Sequence, residues 1–203
     1  MILQNLNELS VADIGRVGGK AANLGKLINF GIAVPPGYVL TTAAFARFKL
    51  ANQLDSQFSS LLADITLDNA VAIAEKIRTL VLAAEIPAEM QASITNTFKE
   101  LKLDHVSVRS SATAEDGQHA AWAGQLDTFL YVSIDHLFEH IKRCWASLYG
   151  ERALLYVLHN KIDIRTVGMA VVIQKMLNAD AAGVGFSVHP TTQEETLMLI
   201  QSS

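Results

Sequence analysis

An α+β fold is what the sequence predicts, on three observations. Apolar residues recur with helical spacing through the first half of the chain. Strand-forming runs crowd the second half. No repeat of about 20–50 residues and no low-complexity tract blurs that division. The 203 residues allow one large domain or two small ones. Hydrophobic residues at 50%, charged residues at 18% and a mean hydropathy of +0.26 exclude a disordered chain.

Residues 1–50 form the first segment, a Gly-rich loop and helix. In IGRVGGKAANLGKLINFG the positions Ala21, Ala22, Leu24, Gly25, Leu27 and Ile28 have helical spacing, and Gly31 ends the pattern, so a Gly-rich turn feeds a helix. VPPGYVLTT is a Pro-punctuated entry to a short strand, after which Thr41 or Thr42 can cap the helix AAFARFKLAN. Residues 51–105 read as a helical insert with an acidic outer face. One helix runs from Asp68, its expected N-cap, to Glu85 through Val71, Ala74, Ile77, Leu80, Val81 and Ala84; Pro87 opens another that reaches Lys99.

Residues 106–203 are the strand-rich part with a candidate phosphate loop. VSVRS at 106–110 and LDTFLYV at 126–132 are β-branched and aromatic enough for strands, with a polar, Gly-containing loop between them. Asp135 is placed to cap a helix through Tyr149, a second helix runs from Glu151 to Asn160, and VGMAVVIQKM, GVGFSVHP and TLMLI supply the last strands.

Charge excludes some functions. Formal net charge is −4, and the only basic excess lies in residues 1–50, with five basic against two acidic groups. No sequence-wide basic field exists to hold nucleic acid or an anionic membrane. One cysteine, Cys144, cannot form an internal disulfide, the opening MILQNLNELS has no leader pattern, and no apolar run is long enough to cross a bilayer. The expectation is a soluble cytoplasmic protein.

Four features carry chemistry. GGK at 18–20 fails the Walker pattern, because Ile14 and Ala21 stand where Gly and Ser or Thr are required. A lysine beside two glycines still lets backbone amides approach an anion that the ammonium neutralises, against the plain alternative of a packing turn with Lys20 in solvent. VRSSATAEDGQHAAWAGQLDT, residues 108–128, combines Arg109 with hydroxyls at Ser110, Ser111, Thr113 and Thr128 and glycines at 117 and 124. An arginine at a strand end can grip phosphate bidentately, while Glu115 and Asp116 can orient a cation or simply sit in a solvated turn. HLFEH at 136–140 matches an inverted zincin pattern, with His136 and His140 on one helical face and Glu139 as candidate base. The same helix must bury Leu137, Ile141, Cys144 and Leu148, and no helix with a third ligand follows. Cys144, beside Trp145, reads as a buried apolar filler.

Four stretches then fall in a recognisable order: GGKAANLGKL with VPPGYVLTT, SVRSSATAEDGQHAAWAGQLDTFLYV, RCWASLYGERALLY, and AVVIQKML with AGVGFSVHP. Together they resemble the N-terminal nucleotide-binding region of the phosphoenolpyruvate synthase and pyruvate phosphate dikinase family, which also occurs in rifampin phosphotransferases. The resemblance covers nearly the whole chain. It implies an ATP-grasp-like lobe with a mixed or antiparallel sheet, binding ATP with Mg²⁺, whose phosphoryl group goes to a histidine on a separate swivelling domain and then to pyruvate. Carried over position by position, the nucleotide-contacting lysine is Lys20, the phosphate-gripping arginine Arg109, the loop and strand contacts Gly124 and Thr128, and the adenine-side glutamine Gln174. Lys20 and Arg109 are the catalytic candidates, and none of the five is a metal ligand. Two positions depart from the family: GQHAAW replaces the usual loop filling, and Val157 stands where an arginine is common.

In that family the strand matching TLMLI is followed by a second lobe carrying the residues that hold Mg²⁺ and the terminal phosphates, whereas this sequence ends at QSS. The expectation is therefore an incomplete lobe, 1–203, inactive alone, whose partners are the missing second lobe and the phosphohistidine domain. A rifampin phosphotransferase shares this lobe and is the alternative within the class. From other classes stand a non-catalytic nucleotide-binding or interaction module and, through HLFEH, a zinc peptidase.

Overall fold

The computed structural model of the chain describes residues 1–114, 122, 125–189, 191–192 and 194–202. Strands β1 (Leu3–Asn5), β2 (Gly37–Leu40), β3 (Val106–Ala112), β4 (Thr128–Val132) and β5 (Met169–Lys175) form one sheet in the order β1-β2-β5-β3-β4, antiparallel at every pairing. Helices α1 (Ile14–Asn29), α2 (Thr42–Ala51), α3 (Leu54–Ala63), α4 (Ala70–Ala83), α5 (Ala88–Glu100), α6 (Ile134–Ser147) and α7 (Glu151–His159) surround it. The expected α+β class is the observed one.

Period-2 alternation sends the strands' side chains to two different cores. On one face Tyr38, Leu40, Val106, Val108, Met169, Val171 and Ile173 join the large core with α2, α6 and α7. On the other, Val39, Ala170 and Val172 meet Val17, Ala21 and Ala22 of α1 in a smaller core. Helix α6 belongs to the large core because Leu137, Ile141, Cys144 and Trp145 fall at helical spacing on one side, and all four are buried. The Trp145 ring lies 4.7 Å from that of Phe48 and 5.4 Å from that of Phe45. An aromatic of this size buries about 150–250 Å², worth on the order of 4–6 kcal/mol, which makes Trp145 a principal anchor between α6 and α2.

The helical insert rests on helices rather than on the sheet: α4 lies against α6 and α7. Lys142 of α6 fastens it, donating from Nζ to the carbonyl oxygens of Leu82 (2.5 Å) and Ala84 (3.1 Å) at the C-terminal end of α4, where a cation is favoured. All eight acidic residues between 51 and 105 are exposed. Three local expectations shift. Asn69, not Asp68, is the N-cap of α4, and Ser133, not Asp135, that of α6, with Asp135 in its first turn. In each case a polar residue one or two positions from the expected cap takes the flanking position. Helix α3, which the sequence reading passed over, fills the space between α2 and α4 with Leu54 and Phe58 buried.

A two-stranded ribbon, β6 (Gly183–Phe186) with β7 (Leu199–Ser202), stands apart from the five-stranded sheet. TLMLI contributes only its last two residues to β7, which runs on to Ser202. Among the described residues no helix is long and apolar enough to cross a membrane.

Candidate functional site

The sheet face beneath α1 collects the predicted residues. In β3 the positions Ser107, Arg109 and Ser111 share this face; across the register Arg109 stands opposite Thr128 on β4 and Val172 on β5, Ser107 opposite Gln174, and Ser111 opposite Ala170. Directly opposed residues of an antiparallel pair point to the same side, so Arg109, Thr128 and Gln174 share a surface although up to 65 positions separate them in the chain. Arg109 is half-buried and Thr128 exposed. Gln174 is 6% exposed and donates from Nε2 to the carbonyl oxygen of Pro35 at 3.0 Å, tying the end of β5 to the VPPG entry of β2.

Lys20 reaches the same side through a break in α1. Gly18 has φ 74° and ψ 170°, a conformation essentially confined to glycine, so α1 is two helical pieces and the second begins at Gly19. A Cβ on Gly18 would collide with the carbonyl group of Ser111. The Ser111 hydroxyl enters the break, donating to the Val17 carbonyl at 2.8 Å and accepting from the Ala21 amide at 3.2 Å. The expected Gly-rich turn feeding a helix is thus a helix restart, with Lys20 its second residue. Such a restart creates a new helix N-terminus, with the positive end of its dipole, beside β3.

Burial pushes the Cys144 thiol up to about 12; a hydrogen bond with Ser110 and the Lys20 ammonium act to lower it, and the Asp127 carboxylate to raise it. Cys144 lies behind β3 and β4, with Sγ 3.7 Å from the Val108 carbonyl oxygen and 3.9 Å from that of Asp127. Asp127 immediately precedes Thr128. Contact of Gly18 with Ser111, and the bond from the Ala21 amide to the Ser111 hydroxyl, set the backbone on either side of Lys20 beside the strand that carries Arg109.

Two hydroxyls of the polar stretch point elsewhere. Ser110 faces the large core, 2.7 Å from the Asp127 carbonyl oxygen and 3.2 Å from the Ser147 hydroxyl. Thr113 exchanges bonds with Gly168, accepting from its amide at 2.9 Å and donating its own amide to the Gly168 carbonyl at 3.0 Å. Gly124, Glu115, Asp116 and Gly117 lie outside the described residues.

On α6, Glu139 pairs with Arg143 at 2.5 Å, the His140 ring packs edge-on against Phe129 with centroids 4.7 Å apart, and Nδ1 of His140 lies 2.8 Å from the His136 carbonyl oxygen. Each member of HLFEH thus has a local role, and among the described residues no group of three or more His, Cys, Asp or Glu could hold a metal ion. What sequence reasoning missed is Ser111: its hydroxyl was one of four in a polar stretch, and only the pairing of β3 beneath α1 singles it out.

A five-stranded antiparallel sheet with a broken glycine-lysine helix on one face and helices α2 and α6 on the other is an ATP-grasp-like lobe. Over residues 14–203 the chain matches the model of the family described as pyruvate phosphate dikinase, AMP/ATP-binding domain, and it belongs to that family. It is 38% identical over 202 residues to a probable phosphoenolpyruvate synthase of Methanothermobacter thermautotrophicus, covering 95% of this chain and 30% of that protein. With a probable phosphoenolpyruvate synthase of Staphylothermus marinus the identity is 39%, over 98% of this chain and 25% of the relative. A rifampicin phosphotransferase of Bacillus cereus is 36% identical over 98% of this chain and 24% of its own length. The chain spans between about a quarter and three tenths of the length of these three relatives.

Proposed function

We propose that the chain is the ATP-binding lobe of a phosphoenolpyruvate synthase-like phosphotransferase, in whose intact form ATP phosphorylates a histidine on another domain and the phosphoryl group then passes to pyruvate. The observation that carries this reading is the convergence, on one sheet face, of the helix restart bearing Lys20 with Arg109 and Thr128. A polyphosphate needs both a diffuse positive end and a planar, bidentate cation; the restart with its ammonium is the first and the Arg109 guanidinium the second. Thr128, opposite Arg109 and exposed, adds a hydroxyl donor. Gln174 takes the adenine end: its carboxamide nitrogen is used by Pro35, and the oxygen is the acceptor for an adenine amine. From the Ser111–Ala170 pair to the Ser107–Gln174 pair is four residues of strand, about 13 Å, a span suited to a nucleotide laid from phosphates to base.

These residues hold and orient the nucleotide and neutralise charge on its phosphates; the transfer itself draws on the rest of the protein. Mg²⁺ belongs to this reading as the ion that accompanies a triphosphate, held largely by phosphate oxygens and carboxylates. Gly124, which lies outside the described residues, is the remaining contact in this reading. The same lobe serves a rifampin phosphotransferase, a second reading favoured by the 36% identity to the Bacillus cereus protein. A cytoplasmic setting fits an ATP-dependent enzyme with one buried thiol.

Calorimetry with MgATP tests the assignment. The 203-residue chain should bind weakly, because an open face leaves each cation worth only about 1 kcal/mol at contact, and should transfer no phosphate. A chain extended through the second lobe should bind at least tenfold more tightly. Lys20→Ala and Arg109→Ala, both half-buried, should each weaken binding by about tenfold or more in the extended protein while leaving its melting temperature within a few degrees. Unchanged affinity in both variants would remove the site.

A further inference from the structure

We infer that Ser111 is a positioning residue that caps, from the sheet, the helix beginning at Gly19, and so sets where Lys20 stands relative to Arg109. This rests on the reading of Lys20 and Arg109 as nucleotide contacts. In an unbroken helix the Ala21 amide would donate to the Val17 carbonyl, four residues back. Gly18, non-helical between them, breaks the regular geometry on which that rung depends. The Ser111 hydroxyl replaces it on both sides, accepting from Ala21 at 3.2 Å and donating to Val17 at 2.8 Å.

With Gly18 in the capping position, Gly19, Lys20 and Ala21 are the first three residues of the new helix. An N-cap side chain accepts from the second or third amide of its helix. The Ala21 amide is the third, but glycine has no side chain to offer, and the oxygen comes instead from β3. The close approach works in both directions: a Cβ at 18 would strike Ser111, so the glycine admits the strand and the serine caps the helix. Ser111 and Ala21 are both fully buried, which leaves no water to substitute for the hydroxyl. Arg109 lies two residues back on the same strand face, about 6–7 Å along β3. The backbone that carries the ammonium and the backbone that carries the guanidinium are thereby joined through one oxygen atom.

A purely structural serine would also be buried and bonded, and Ser110 supplies that comparison. It is equally buried, adjacent on the same strand, and bonded to Asp127 and Ser147 on the opposite face. Ser110→Ala and Ser111→Ala, introduced into the chain extended through the second lobe, should therefore separate stability from binding. The expected result is that both lower the melting temperature, while only Ser111→Ala weakens MgATP binding, by about tenfold. Amide exchange followed by NMR on the 203-residue chain should show faster exchange at Ala21 in Ser111→Ala, with Val108 and Val172 as protected as before. Ser111→Cys, close in size but a poor acceptor, should fall between serine and alanine and carries the test if the alanine variant does not fold. Equal losses of affinity in the two serine variants, or unchanged affinity in a folded Ser111→Ala, overturn the inference. If the unsubstituted protein binds no MgATP, the reading of the site fails, and Ala21 exchange alone still decides whether the cap exists.

Discussion

The thiol of Cys144 sits behind the strand pair that carries Arg109 and Thr128, fully buried, with burial pushing its ionisation up to about 12 from an ordinary value near 9.0. Above about pH 9 an unfolded chain releases this proton while the native chain keeps it. The unfolded state then binds fewer protons, so stability falls as pH rises, by up to about 1.4 kcal/mol per pH unit, until the native thiol also ionises. Burial raises the Tyr38 and Tyr149 phenols as well, which extends the decline above about pH 10. Urea midpoints measured across pH 8–11 should begin to fall near pH 9 in the unsubstituted chain and near pH 10 in Cys144→Ala. A flat profile to pH 11 would contradict this burial. At this scale motif order singles out Lys20, Arg109, Thr128 and Gln174, and the register sets the last three on one sheet face. The two neighbouring serines were not distinguishable: whether Ser110 or Ser111 faces α1 depends on β3 register, which hydroxyl content does not encode.

Within α1, two glycines that look alike in sequence have opposite expected effects. Gly15 is exposed with nothing within 4 Å of an added Cβ, whereas Gly25 is buried with the Cβ and carbonyl oxygen of Leu9 each 2.6 Å from that position. Alanine gains roughly 0.5–1 kcal/mol over glycine in a helix. At Gly15 that gain is unopposed, and Gly15→Ala should raise the melting temperature by a few degrees. At Gly25 it meets overpacking of about 1–3 kcal/mol against backbone that cannot yield, so Gly25→Ala should lower it. Thermal melts of the two variants decide the matter; a stabilised Gly25→Ala would mean that Leu9 gives way. Helices were readable where helical spacing ran for fourteen residues, as in α4 and α6, and β5 from its run of apolar, β-branched residues. Helix α3 was not, because LDSQFSSLLA follows directly on α2 with only Asn52 and Gln53 between, and the left-handed Gln53 (φ 53°) that separates them carries no glycine to announce the turn.

For the molecule as a whole, the division into early helices and late strands was visible in composition, but the strand order was not. Pairings such as β2 with β5 join stretches that have no local signature of each other, and each strand alone reads only as half of some sheet. The order β1-β2-β5-β3-β4 places β5 in the middle, although β1 to β4 all precede it in the chain. Gln174 on β5 is bonded to Pro35, 139 positions earlier. Contacts this distant are slow to close and give nothing until they form. As the chain leaves the ribosome, β2 and β3 emerge with bare hydrogen-bonding edges and stay unmatched until Met169–Lys175 has been made. The helices of the insert, by contrast, can form as soon as they appear. A chain arrested just before Met169 should accordingly show helical circular dichroism without a cooperative thermal transition, and one carried past Lys175 should show both. The strand that completes the sheet works, in the order of synthesis, as a late keystone: until it is made, this lobe is a set of helices beside two open strand edges, in need of shelter from other nascent chains.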